Sequence, residues 1–331
     1  SQYYGLFTHN SIHISEQATV TVGLRYIEEE RENSQTFVSI TDLIEPFFLP
    51  EVDTRLQEGI APEDQETEDD AVTGTLKYQY QFNDDLMGYA SYDRGWRGGT
   101  SNIAGAPQPP AFGLFDAEES DNIELGFKWS LMGGRGLWNM AIFYQTYTDF
   151  QYLAEVAYRD AEAGVSIETP VVNVDEAEVY GFDTDVTYLL SEVWTLSAAL
   201  SYNKTELSDA KDVPCINGEP GADVWDFNTC DLTGDRAGNL PEWSVNLFTE
   251  YSIPSDSGNS DWYGRALLNW QSEYYSNTDQ AYLESYATLD LFLGWRTASR
   301  TWDAQVWAKH IFDATAELDN EALPPVPDYD N

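Results

Sequence analysis

Two cysteines, three histidines and one closely spaced pair of aspartates are the residues whose types and spacing could carry chemistry in this chain. Cys215 and Cys230 bracket fourteen residues rich in Gly, Pro, Asn and Asp. With no other thiol to pair with and no second pair for zinc, they read as a loop-closing disulfide in an oxidising compartment; the alternative is two unpaired thiols in a reducing cell. His9 and His13 share a strand face but stand about 13 Å apart at the usual rise, too far to hold one metal ion. His310 lies far away in sequence. Asp183 and Asp185 share one face at about 6.6 Å, which overlaps the carboxyl separation of an inverting glycosidase. Their neighbours Tyr180, Phe182, Val186 and Tyr188 form an apolar face opposite, so two solvated carboxylates on the polar side of a strand is the plainer reading. No G-x-S-x-G, phosphate-loop, G-x-G-x-x-G or complete EF-hand pattern occurs. We therefore expect no enzyme, no cofactor and no metal centre.

Composition narrows the classes further. There are 58 Asp plus Glu against 16 Lys plus Arg, a formal net charge of -42, so the surface repels phosphate backbones and nucleic-acid partners are not expected. A content of 42% hydrophobic and 14% aromatic residues is too high for an acidic disordered chain. No apolar run is long enough for a membrane helix, whereas membrane strands need apolar residues only at alternate positions. Ser1-Gln2-Tyr3-Tyr4-Gly5 does not read as a secretory signal, so the chain is either cytosolic or lacks its start.

Period-two alternation supplies the elements that must position any site. Ala18, Val20, Val22, Leu24 and Tyr26 oppose Thr19, Thr21, Gly23 and Arg25; Ile123, Leu125, Phe127, Trp129 and Leu131 oppose Asn122, Glu124, Gly126, Lys128 and Ser130. Trp194, Leu196, Ala198, Leu200 and Tyr202 repeat the pattern, as do Ala287, Leu289, Leu291, Leu293 and Trp295. Twelve strands are predicted, over 2–13, 18–28, 74–83, 86–96, 121–132, 137–152, 178–190, 193–206, 242–253, 262–275, 285–297 and 301–311. Short links alternate with long ones at 29–73, 97–120, 153–177, 207–241 and 276–284. Tight turns on one side and large loops on the other are the signature of an outer-membrane barrel. Trp129, Trp194, Trp243, Trp262, Trp295 and Trp302 sit near the ends of apolar faces, as interfacial girdles do. A soluble β-sandwich would share the periodicity but not the loop alternation.

Several segments resemble a family. Asp121-Asn122-Ile123-Glu124-Leu125-Gly126-Phe127-Lys128, Phe143-Tyr144-Gln145-Thr146-Tyr147-Thr148-Asp149-Phe150 and Asn173-Val174-Asp175-Glu176-Ala177-Glu178-Val179-Tyr180-Gly181-Phe182 resemble, in order, the C-terminal barrel half of TonB-dependent outer-membrane receptors. Val22-Gly23-Leu24-Arg25-Tyr26, Tyr89-Ala90-Ser91-Tyr92-Asp93-Arg94-Gly95, Leu240-Pro241-Glu242-Trp243-Ser244 and Lys309-His310-Ile311-Phe312-Asp313 add to the series. That family has about 22 strands around a plug. The order of short and long links then makes the chain about strands 10 to 21, one domain over 1–331 without plug, TonB box or final strand. The resemblance implies an all-β fold: a partial antiparallel transmembrane β-barrel in the bacterial outer membrane, with short periplasmic turns and long extracellular loops. Lipid and lipopolysaccharide would surround it, and the TonB energy-transducing complex would act through the plug. The implied role is uptake of a scarce ligand, by default a ferric siderophore or similar iron complex. An oligosaccharide or cobalamin, a passive porin, and a soluble carbohydrate-active β protein using Asp183 and Asp185 are the alternatives.

Acidic residues gather in the long links. Residues 29–73 hold 14 Asp or Glu and two Arg. They read as a solvated, salt-tolerant surface or, less simply, as a binder of divalent cations bridging to lipopolysaccharide. Trp96 and Arg97 at one strand top, with Trp225 and Phe227 inside the cysteine loop, are the candidate ligand contacts, because aromatic and guanidinium planes stack on rings.

Overall fold

A computed structural model describes residues 1–33, 65–102, 109–160, 164–238, 240–276 and 281–313. In chain order the strands are β1 (Gln2–His13), β2 (Ala18–Asn33), β3 (Gln65–Asn83), β4 (Leu86–Arg97), β5 (Thr100–Ser101), β6 (Leu114–Phe115) and β7 (Glu118–Leu131). They continue as β8 (Gly136–Leu153), β9 (Val156–Asp160), β10 (Gly164–Glu168), β11 (Val171–Ser191), β12 (Trp194–Asp209), β13 (Val213–Cys215) and β14 (Asn228–Cys230). The last are β15 (Trp243–Pro254), β16 (Ser260–Gln271), β17 (Tyr274–Ser276), β18 (Ala281–Leu283), β19 (Tyr286–Thr297) and β20 (Asp303–Ala308). Twelve of these form one sheet in the order β1-β2-β3-β4-β7-β8-β11-β12-β15-β16-β19-β20, every neighbour antiparallel. The sheet does not close, since β1 and β20 are not paired with each other.

Register explains why the sheet is two-sided. Directly opposed residues share a face, and Tyr92, Ile123, Tyr144, Tyr180 and Lys204 form one such row across five strands. Below it run Ala90, Leu125, Ile142, Phe182, Tyr202 and Trp243. Every one of the twelve strands contributes alternate side chains to this apolar face, and a one-residue slip anywhere would turn a whole strand over. Leu6 is 76% exposed, Ile123 56% and Leu293 55%, far from what a water-soluble sheet tolerates over so wide a surface. The opposite face carries polar pairs: Ser11 with Thr21, Thr187 with Ser197, and Asn139 with Asp185.

Aromatic pairs stand at the ends of the apolar face. Trp129 stacks on Trp138 at 6.2 Å and Trp194 meets Tyr251 edge-on at 6.0 Å near the short links. At the other end Tyr202 and Trp243 lie 4.5 Å apart. The short links are tight turns. Asn83 accepts from the backbone N–H groups of Asp85 and Leu86 through its side-chain oxygen, and Met132, Gly133 and Gly134 take positive φ in the next turn.

The expected strands all occur, but several are longer or shorter than the alternation indicated. β2 runs to Asn33 and β3 starts at Gln65, so both ends of the expected link 29–73 belong to the sheet; 34–64 lie outside the described residues. β11 likewise begins at Val171 and not at 178. The ladder continues past the apolar face into water, where its side chains become polar on both sides and the alternation that reveals a strand disappears. β16 stops at Gln271 and β20 covers only Asp303–Ala308. Four of the long links carry small hairpins of their own, β5/β6, β9/β10, β13/β14 and β17/β18. Residues 314–331 lie outside the described residues.

Candidate functional site

The long-link end has a core of its own. Ala154, Val174, Ala177, Leu207, Ala210, Val213 and Ala237 are buried together, with Tyr147, Phe150, Tyr152, Val172 and Leu232 packed against them. Val174 and Ala177 differ in strand parity. Between them the β8–β11 pairing skips Asp175, and Asp149 across the ladder takes φ 52°, which marks where the alternation breaks. This break lets the tips of β8, β11 and β12 meet the link 210–242 in one cluster.

Polar side chains join the links to one another. Asn102 donates to the carbonyls of Phe112 and Val171 and accepts from the Val171 N–H, so it acts as a length of backbone between two links. Asn173 does the same with Asp116 and Asp149. Glu118 is buried to 7% exposure and takes the Arg97 guanidinium at 2.8 Å and the Gln151 N–H at 2.8 Å. Arg159 points into the link 210–242, donating to the carbonyls of Gly221, Pro220 and Gly164. None of these residues carries a spacing signal in the sequence, because a lone amide or guanidinium turned inward resembles any surface one.

The four candidate ligand contacts fall in different places. Trp96 and Arg97 are successive residues of β4 and so point to opposite faces; Trp96 shares a row with Glu119, and Arg97 pairs with Glu118. Trp225 and Phe227 sit inside the loop layer. Trp225, at φ 72°, packs its ring 5.7 Å from that of Tyr158, while Phe227 lies 4.8 Å from Phe112 and bridges to Tyr158 through its backbone. Tyr158 is 1% exposed, so this cluster joins the links 98–117, 154–170 and 210–242. Cys215 and Cys230 are joined in a disulfide across the β13/β14 hairpin, their Cα atoms 5.9 Å apart. It closes the segment that carries Trp225 and Phe227.

Among the described residues, two concave surfaces lie away from the apolar face. On the polar face, Gly23 and Gly95 leave a trough of about 690 Å³ walled by His9, Arg25, Asp93, Asn122 and Gln145. In the loop layer, a smaller cavity of about 250 Å³ lies beside the disulfide, between Tyr152, Leu232 and Tyr275. Asp183 accepts from the Ser201 hydroxyl and Asp185 from the Asn139 amide, each across the sheet. His13 meets Thr19 at 3.0 Å. Among the described residues no three His, Cys, Asp or Glu are grouped to hold a metal. Outside the sheet, the Asp231 carboxyl is held below its ordinary value by the Thr233 hydroxyl and N–H. Lys211 is raised by its 2.8 Å bond to Asp209.

The profile of the family described as "TonB dependent receptor-like, beta-barrel" matches residues 1–320. The chain belongs to this family. It is similar in fold to the ferric yersiniabactin uptake receptor FyuA from Yersinia pestis, with a TM-score of 0.64 and 17% identity over 94% of this chain and 40% of that one. The siderophore receptor PiuA from Acinetobacter baumannii gives 0.66 and 17%, over 94% and 39%. The copper transporter OprC gives 0.65 and 16%, over 94% and 42%. Comparison with curated proteins finds no match. The chain thus spans about two fifths of the length of these receptors. In a TonB-dependent receptor barrel of the Gram-negative outer membrane, the apolar face meets lipid and the polar face lines the lumen. The long links are extracellular and the short ones periplasmic.

Proposed function

We propose that this chain is the C-terminal part of the barrel of a receptor that takes up a scarce ligand across the outer membrane, driven by the TonB complex. The ligand of this reading is a ferric siderophore or similar iron complex. The plug on which TonB acts would lie outside residues 1–331. No catalytic step is assigned to the barrel. The observation that carries the reading is the match of the strands, in order, to the receptor barrel, crowned by a loop layer with its own core and cavity. The names of FyuA, a ferric yersiniabactin uptake receptor, and PiuA, a siderophore receptor, favour iron complexes. An oligosaccharide is the second reading, favoured by the tyrosines and carboxylates that line the loop cavity.

Accumulation of an iron-55-labelled ferric hydroxamate and a tritiated maltooligosaccharide, in cells carrying the full-length receptor with and without TonB, tests the proposal. Accumulation of either that requires both receptor and TonB is expected. Equal accumulation without TonB would show a passive pore.

A further inference from the structure

The extracellular end of the barrel holds little available positive charge. In the long links closed between strands of the sheet, and the last three residues of the strands that enter them, the described residues include fifteen carboxylates and five cations. Each cation is already engaged. Arg31 is gripped by both oxygens of Glu29, Arg97 by Glu118, Lys211 by Asp209 and Arg236 by Glu242, while Arg159 donates to three backbone carbonyls. Each of these charges is offset by a neighbouring acceptor, and an incoming anion must approach through a field of surplus carboxylates.

The loop cavity has the same character. It is bounded by Tyr152 on the tip of β8, Tyr275 on β17, Leu232 and the Cys215–Cys230 disulfide; Glu155 and Asp235 also line it, and none of the described lining residues is Lys, Arg or His. Tyr152 packs against the loop core and Tyr275 meets Tyr282 edge-on at 5.1 Å, so both rings are held. A volume of about 250 Å³ is below the range of whole-ligand pockets, which suits one ring of a larger molecule. Aromatic faces at such a site accept the apolar face of a ring, and carboxylates accept hydrogen bonds from hydroxyls or pair with cations.

We infer that this cavity is a subsite for an uncharged or cationic ring-bearing part of the transported ligand, and that the extracellular face excludes polyanionic ligands. The inference rests on the transport reading and narrows its ligand class. A sugar ring or a cationic ferric hydroxamate fits; an anionic ferric tricatecholate does not.

Thr169 lines the cavity and is exposed, so Thr169→Cys in the full-length receptor, with the native disulfide intact, places a thiol there. Labelling is compared on de-energised cells with a cationic and an anionic methanethiosulfonate. We expect the cationic reagent to react at least about tenfold faster, and Glu155→Gln with Asp235→Asn to shrink that ratio. Equal or inverted rates, or a thiol that reacts with neither reagent, would overturn the inference. In a second arm, a neutral maltooligosaccharide or a cationic ferric trihydroxamate should slow labelling and an anionic ferric tricatecholate should not. Protection by the tricatecholate, or by none of the three, counts against it. Leu153→Cys, which also lines the cavity, serves if Thr169→Cys fails to insert. If the charge preference stands but energised cells accumulate none of these probes through TonB, the transport reading fails and the charge selection does not.

Discussion

Tyr263 is 1% exposed on a face that elsewhere lies open, because its ring is bracketed by cations and lies over a glycine. The guanidinium carbons of Arg265 and Arg296 stand 4.3 and 4.8 Å from its centroid, and its hydroxyl donates to Asp303 at 2.7 Å. A Cβ on Gly294 would overlap the ring, which the two arginines prevent from moving. Gly294→Ala should therefore destabilise the full-length barrel by about 1–3 kcal/mol, the usual cost of overpacking, read as a lower urea midpoint in lipid vesicles. An unchanged midpoint would mean that the ring has room to shift. Depth and face set a second contrast. Leu291 lies mid-strand on the lipid face between Ala266 and Ala308, so Leu291→Arg should cost about 2–4 kcal/mol. Thr288→Arg, on the lumen face, should cost much less; equal losses would reverse the assignment of faces. Asp231 gives a pH dependence. Its folded value is lowered, so its stabilisation is present above the unfolded value of about 3.9 and is lost as pH falls through the folded one. Protection of the Thr233 amide against hydrogen exchange should drop over that acid range in the native receptor, relative to Asp231→Asn. These residues were unevenly legible: Leu291 and Thr288 declare their faces by alternation, whereas the fit of Tyr263 to Gly294 depends on cross-strand register.

The elements extend this unevenness. The β13/β14 hairpin is visible in sequence as two cysteines around a turn-rich segment, but its partners are not. Tyr158, Arg159 and Phe112 lie on two other links. Removing the disulfide by Cys215→Ser with Cys230→Ser should release this segment, by about 3 kcal/mol for a loop of this length in the chain-entropy account. Trypsin should then cut faster after Lys211 and Arg236 on intact cells, and an unchanged cleavage rate would show that aromatic packing alone holds the loop layer. The β2–β3 hairpin shows the opposite economy of contacts. Beyond the apolar face, Glu28 opposes Asp70 and Glu30 opposes Glu68, all four exposed. Like charges directly across a ladder repel, and salt screens them when they face water. Glu30→Gln should raise the melting temperature of the full-length receptor slightly at low salt and leave it unchanged at high salt; a fall at low salt would point to a cation held between the pair. The sequence marks these acids as a loop because side-chain polarity hides a ladder made by the backbone.

At the scale of the whole molecule, the sheet presents two unpaired edges, β1 and β20, and an apolar face that only lipid covers. Residues 1–331 expressed alone should therefore aggregate and yield no monodisperse, heat-resistant barrel in detergent or lipid. Recovery of such a species would mean that twelve strands close by themselves. The sequence by itself determined the strand number, the direction of each strand, the face that meets lipid and the alternation of short and long links. These follow from local periodicity and from turn residues such as Asn83 and Gly133-Gly134, whose preferences act within a few positions of the chain. Only the tertiary structure decided that the ladder runs on to Asn33 and Gln65, and that Trp225 and Phe227 pack against Tyr158 and Phe112. It also decided that the loop cations are already paired and that a carboxylate- and tyrosine-lined cavity remains beside the disulfide. The physical reason is range. A lipid-facing strand must repeat its pattern every second residue, whereas a loop contact joins residues tens of positions apart, and a side chain's type does not state its distant partner.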